Sequence, residues 1–149
     1  MDDSRGIAEY GTGYGIEDLS VGMTASYAHT VTDRDVVQFA GISGDHNPVH
    51  LDETFARTTR FGGRIVHGML SAAFLSTTIA SRLPGPGTIY LTQNLVFRAP
   101  VRIGDTVEAQ VTVMDIIREK ARVLLKTVCR VGDTVVVDGD ALVMVPPRG

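Results

Sequence analysis

His67-Gly68-Met69-Leu70-Ser71-Ala72-Ala73-Phe74-Leu75-Ser76-Thr77-Thr78-Ile79-Ala80-Ser81-Arg82-Leu83 decides the fold. Apolar and small residues occupy nearly every face of a helix drawn through it, and its first charge is Arg82. A helix with no polar face has to be buried on most sides. Pro84-Gly85-Pro86-Gly87 then stops it. Everything downstream reads as strand. Ile89, Leu91, Leu95 and Phe97 share one parity, with Gln93 interrupting the face. Val107, Val111 and Val113 repeat the pattern, as do Val123, Leu125, Cys129 and Val131, then Val135, Val137, Val143 and Val145. Turns fall at Ile103-Gly104-Asp105 and Val131-Gly132-Asp133, with a polar break near Arg118-Glu119-Lys120. Four strands with short connections make an antiparallel sheet, and the apolar helix is the layer that covers it. The expected fold class is α+β: one domain in which a curved antiparallel sheet wraps around a central buried helix.

Upstream of the helix, Met1 to about Gly15 has no apolar period and is rich in glycine. It reads as a flexible tail, leaving 16–149 as the domain. Gly22 to His29 fits a short first strand. Thr32-Asp33-Arg34-Asp35 resembles a capping box with Thr32 as N-cap, followed by the apolar face Val36, Val37, Phe39 and Ala40. That helix leads into Gly44-Asp45-His46-Asn47-Pro48-Val49-His50, expected to be an extended or turn segment because Pro48 excludes the helical state before it. Asp52 to Thr59 fits another turn or two of helix.

Composition excludes several classes of function. The chain has 149 residues, 21% of them charged, and a net charge of −3. With no basic excess and no basic cluster, nucleic-acid binding by phosphate neutralisation is not expected. The single cysteine, Cys129, can form neither an internal disulfide nor a cysteine metal site, and its strand-like surroundings make it a small core residue. No apolar run reaches the ~18 residues of a membrane span, so the expectation is a cytoplasmic protein with no membrane partner.

Two segments carry chemistry. Asp45 and His50 lie in one short loop that can aim a carboxylate and an imidazole at one point, where they could transfer protons near neutral pH. Asp, Asn and His also serve as plain turn residues, their side chains bonding nearby amides. At the second segment, Gly68 opens the buried helix. A helix N-terminus offers free N–H donors with a partial positive charge, suited to the negative oxygen of an enolate. Close helix–sheet packing would equally require a glycine there. Ser76, two turns into the helix, either bonds the preceding turn or lines a pocket. Asp45, His46, His50, Asp52 and His67 offer metal-ligand atoms, yet no His-x-x-x-His or cysteine-pair spacing is present, and no metal is expected. Gly41-Ile42-Ser43-Gly44 is not a nucleophile elbow, and no phosphate-cradling glycine pattern opens a helix.

Residues Phe39 to Asp52, with Asp45-x-Asn47-Pro48-x-His50 at their centre, resemble the hydratase motif of MaoC-like proteins, particularly the short R-specific enoyl-CoA hydratases. The similarity continues through Arg64-Ile65-Val66-His67-Gly68-Met69-Leu70, Leu83-Pro84-Gly85, Ile89-Tyr90-Leu91 and Phe97-Arg98-Ala99-Pro100-Val101, spanning roughly residues 18–146. The resemblance implies a hot-dog fold and a homodimer whose sheets join. It implies a hydro-lyase that adds water to a trans-2-enoyl-CoA to give the (R)-3-hydroxyacyl-CoA, without a cofactor beyond the thioester that carries the substrate. It makes Asp45 and His50 the catalytic pair and the Gly68 amide the oxyanion donor, with Asn47, Ser76 and His67 around the substrate. Two other readings share the fold: a dehydratase or cyclase acting on chains bound to an acyl carrier protein, and a non-catalytic acyl-thioester binding protein.

Overall fold

A computed structural model describes residues 11–148. Its element order is β1 (Thr24–Thr30), α1 (Asp33–Ser43), α2 (Pro48–Leu51), α3 (Glu53–Ala56), α4 (Gly68–Ser81), β2 (Ile89–Gln93), β3 (Val96–Phe97), β4 (Thr106–Ile117), β5 (Arg122–Val131) and β6 (Thr134–Met144). The strands form one antiparallel sheet in the order β1-β4-β5-β6-β2, with β3 also paired to β6. The helix α4 packs against one face of this sheet. The domain is a hot-dog, with the sheet as the bun and α4 as the filling.

One row of paired residues shows how the sheet holds the helix. Tyr27 on β1 opposes Ala109 on β4, Ala109 opposes Cys129 on β5, Cys129 opposes Val137 on β6, and Val137 opposes Phe97 on β3. Directly paired residues share a face, so the row forms a continuous floor. Tyr27, Ala109, Cys129 and Val137 are buried, and Phe74 of α4 meets the Tyr27 ring edge-on at 6.2 Å. Each buried Val or Leu of such a floor is worth roughly 1.5–3 kcal/mol over its exposed state. The Cys129 thiol points at the Ser71 carbonyl across 3.5 Å, and burial pushes its pKa up to about 12. It is a packed core residue, not a nucleophile.

The capping box opens α1: the Asp35 amide donates to Thr32 Oγ1 at 3.1 Å, and the Thr32 amide donates to the Asp35 carboxylate at 2.9 Å. Only Val36 and Ala40 of the expected apolar face are buried, with Phe39 half-buried and Val37 half-exposed. Within α4 the hydroxyls of Thr77, Thr78 and Ser81 donate to carbonyls one turn back, at 3.2, 2.7 and 2.6 Å. Those bonds let polar residues sit in an otherwise apolar helix.

Three expectations need correcting. Pro48 does not keep the loop out of helix; it starts one. Asn47 is extended (φ −54°, ψ 124°), as a residue before proline must be, and caps α2 by accepting from the Val49 amide at 3.1 Å. Pro48 takes the first helical position, where its missing N–H costs nothing. The sheet has six strands rather than four, because β1 joins it and the run Ile89–Phe97 divides into β2 and β3. The apolar face of that run is not buried within the chain: Ile89, Leu91 and Phe97 are about half exposed at the sheet edge. Gln93, which interrupts it, donates to Thr127 Oγ1 at 2.9 Å and to the Asp140 carbonyl at 3.2 Å.

The glycine-rich N-terminal segment falls mostly outside the described residues, which begin at Gly11. Within them, the Tyr14 amide donates to the Pro84 carbonyl at 2.8 Å and the Ile16 amide to the Pro146 carbonyl at 3.2 Å. No helix among the described residues is long and apolar enough to cross a membrane.

Candidate active site

The site is assembled where α1 ends and α4 begins. Gly44 closes α1 in the left-handed conformation (φ 81°), its amide bonded to the Ala40 carbonyl at 2.9 Å. Glycine adopts this conformation at no steric cost, and it turns the chain sharply toward Asp45. The loop then braces itself. The Asp45 amide donates to Ser43 Oγ at 3.1 Å, and Asp45 Oδ1 accepts from the Asn47 amide at 3.1 Å. One carboxylate oxygen thus holds the loop while the other stays available. Asn47, expected beside the substrate, spends its side-chain oxygen on capping α2. The α2 turn carries His50 inward until it is only 7% exposed.

A second strut fixes His50 from below. Its Nδ1 lies 2.8 Å from the Ile65 carbonyl, and a carbonyl can only accept, so Nδ1 carries the hydrogen. In the neutral ring Nε2 is then the nitrogen with the free lone pair. Arg64 Nε donates to the His50 carbonyl at 2.7 Å while Arg64 Nη2 pairs with Asp33 at 2.7 Å, tying α2 to the start of α1.

His67, the N-cap of α4, lies under both groups. Its Nε2 donates to the Asp45 carbonyl at 3.0 Å, and its ring stacks on His50 with centroids 3.9 Å apart. Burial chiefly, together with the neighbouring His50 and His46, pushes its pKa down against the pull of the Asp45 carbonyl and carboxylate. The His67 ring is 1% exposed. Asp45, His50 and His67 each bring one ligand atom within 4.8 Å of the other two. A water making two bonds of ~2.8 Å at a tetrahedral angle spans about 4.6 Å, so one water can bridge a pair of them. As a metal set the three fit poorly: Nε2 of His67 is engaged by the Asp45 carbonyl and its Nδ1 is closed off from solvent.

These groups open onto a cavity of about 410 Å³. Its walls are apolar, from Ile65, Met69, Phe97, Ala99, Val101 and Val137, with Arg60 and Arg98 as its cations. That volume suits a small apolar ligand with a few convergent polar contacts. Gly68 lines the cavity as the first residue of the 14-residue α4, so its amide has no intrahelical partner. A Cβ there would sit 2.6 Å from the Phe97 ring. Glycine is therefore required by packing as well as available as a donor. The structure brings Asp45, His50, His67 and Gly68 together on this cavity. Ser76 is half-buried farther along α4 and does not line it, and Asn47 is exposed in its capping role. Ser71, Phe97 and Arg60 line it unforeseen. Ser71 could have been found, since it lies three residues after Gly68 on the same helix face; the others arrive only through tertiary packing.

The MaoC-like domain pattern matches residues 20–136. This chain belongs to the MaoC-like family. Among its relatives, a Rhodospirillum rubrum protein named (R)-specific enoyl-CoA hydratase is 53% identical over 133 residues, covering 89% of this chain and 92% of the relative. A Methylorubrum extorquens protein named 3-hydroxybutyryl-CoA dehydratase is 52% identical over 132 residues, covering 89% and 84%. Among solved structures, the unliganded R-hydratase PhaJ1 of Pseudomonas aeruginosa superposes with a TM-score of 0.87 at 44% identity, covering 91% of this chain and 88% of that one. This MaoC-like protein thus matches its relatives over nearly their whole length.

Proposed function

We propose that the protein is a hydro-lyase that adds water reversibly to trans-2-enoyl-CoA and forms the (R)-3-hydroxyacyl-CoA. The observation that carries this reading is the convergence of Asp45, His50 and the first amide of α4 on one apolar cavity. The names of its full-length relatives, a hydratase and a dehydratase, describe the same equilibrium from its two sides.

In this reading Asp45 and His50 hold one water. Its oxygen adds to C3 as His50 Nε2 takes a proton, while the Asp45 carboxylate accepts the second O–H and orients the lone pair. The proton is returned to C2, so the elements of water are added and the protein ends unchanged. Charge that builds on the thioester oxygen lies at the Gly68 amide, where the α4 dipole favours it. Adding water changes no cofactor's oxidation state, so the chemistry calls only for the thioester and water. Asn47 serves by holding α2 in place.

The protein acts as a homodimer joined along β2. That strand ends the sheet, and Ile89, Tyr90, Leu91 and Val96 stand 38–49% exposed on it and β3. A sedimentation mass of twice the 16.0 kDa chain is expected; a monomer would overturn this part. A cytoplasmic setting belongs to the same proposal.

The test is hydration of crotonyl-CoA, followed by loss of the enoyl-thioester absorbance. Removing a general acid–base group costs roughly 10²–10⁴-fold in rate. Asp45→Asn and His50→Ala should each lose at least about 100-fold in kcat with unchanged circular dichroism. Near-normal turnover by a folded Asp45→Asn protein would sink the assignment. Faster turnover of the same chain on acyl carrier protein than on CoA would change the carrier and leave the chemistry.

A further inference from the structure

Two buried side-chain polar atoms among the described residues have no hydrogen-bond partner: Nδ1 of His67 and Oγ of Ser71. They belong to the N-cap and the fourth residue of α4, four positions apart, where side chains on a helix meet. The two are chemically complementary. Because Nε2 of His67 donates to the Asp45 carbonyl, the neutral ring leaves Nδ1 as a bare acceptor. Ser71 is placed to donate: unlike Thr77, Thr78 and Ser81, its hydroxyl makes no bond to the preceding turn. In a helix the Cα–Cβ bond leans toward the N-terminus, which tilts the Ser71 hydroxyl toward His67.

Around this pair the packing is tight. The His67 ring lies between Phe39, edge-on at 4.9 Å, and His50, stacked at 3.9 Å. Through its Nε2–H it holds the carbonyl of the residue that bears the carboxylate, and through its ring face it holds the imidazole. No other side chain touches both members of the pair among the bonds and ring contacts described. A buried polar atom left unsatisfied is costly, and a bond between these two, direct or through one water, would satisfy both.

We propose that His67 is a positioning residue for Asp45 and His50, acting through its Nε2–H on the Asp45 carbonyl and its stack on His50, with the Ser71 hydroxyl on Nδ1 holding the tautomer. The proposal rests on Asp45 and His50 being the reacting pair. A donor on Nδ1 forces the ring hydrogen onto Nε2, and only that tautomer can clamp the Asp45 loop. Burial and the neighbouring His50 and His46 oppose a second proton on the ring, against the Asp45 carbonyl and carboxylate that favour it.

The test uses three variants and one spectrum. His67→Phe keeps a flat ring for stacking and removes the clamp; loss of one such bond is worth about tenfold. It should lower kcat by about tenfold or more with KM changing less than about threefold, since the clamp acts on the reacting pair rather than on substrate binding. His67→Gln, which restores an N–H near the Nε2 position, should recover part of the loss. Ser71→Ala should lower kcat by a smaller factor. Nitrogen-15 NMR of the wild-type protein at pH 7 should show His67 as the neutral Nε2–H tautomer, and Ser71→Ala should shift its Nδ1 resonance. A His67→Phe protein with wild-type kcat overturns the proposal, as does an Nδ1–H tautomer. Should His67→Phe fail to fold, the tautomer and the Ser71→Ala shift still decide. Because the spectrum uses no substrate, a wild type inactive on enoyl thioesters would refute the proposed function separately.

Discussion

Gly68→Ala separates the two reasons for a glycine at the head of α4. The variant keeps the backbone N–H, so a donor role alone predicts little change. Packing predicts otherwise. The new Cβ would lie 2.6 Å from both Cδ1 and Cε1 of Phe97, against an ordinary carbon contact of about 3.5–4.0 Å. The ring must move by roughly 1 Å. It can do so, because Phe97 is 52% exposed and sits on a strand of only two residues. The cost in stability therefore falls at the low end of the overpacking range, about 1 kcal/mol, and the melting temperature drops by about 2–4 °C. Activity should suffer more, because the displaced ring lines the cavity in which the substrate is proposed to bind. A shift of the reacting atoms near 1 Å can cost on the order of 100-fold in rate. The assay is a double-mutant cycle with Phe97→Ala, read by thermal melting and by turnover of crotonyl-CoA. Removing the ring should relieve the clash, so the two changes should couple by at least about 0.5 kcal/mol. Additive effects, or a Gly68→Ala protein with wild-type melting and turnover, would refute the reasoning.

Thr32→Ala should cost about 1 kcal/mol by removing the cap of α1, lowering the melting temperature by about 2–4 °C with turnover unchanged, because Thr32 does not line the cavity. His67 is held below its ordinary value of 6.5 mainly by burial. The folded state thus resists a proton that the unfolded chain accepts, so stability is complete above that value and falls as pH drops below it. Urea midpoints between pH 7 and 5 should show this slope in the wild type and a shallower one in His67→Phe. Asp35 acts in the same direction in a more acidic window. Burial raises it, but the Thr32 amide and His29 outweigh burial and hold it below 3.8. Its contribution is present above that value and is lost as pH falls through the lower folded one, so acid unfolding of Asp35→Asn should lose this component.

Much of this architecture was legible in one dimension because each element carries a local rule. The unbroken apolar surface of 67–83 could belong only to a buried helix, and Thr32 with Asp35 marked the start of α1. Asp45 and His50 stood out because a carboxylate and an imidazole shared one proline-bearing loop. What could not be read depended on contacts between distant segments. The helix starting at Pro48 needed Asn47 as its cap, a choice that the bar on helix before proline obscured. Half of the Ile89–Phe97 face lies exposed because β2 ends the sheet, away from the strands against which α4 chiefly packs. Phe97 reaches Gly68 only through tertiary packing, with β3 held in place by its pairing to β6. His67 looked like one more substrate contact, and only its two hydrogen-bonding edges and its stack show it buried beneath the pair.

Chiral analysis of the product that wild-type protein forms from crotonyl-CoA tests the central claim most directly. In the proposed mechanism the Asp45–His50 pair and the Gly68 amide hold the water on one side of a fixed thioester plane, so 3-hydroxybutyryl-CoA should appear exclusively as the R isomer. The S isomer, a racemic mixture, or no hydration at all would contradict the account.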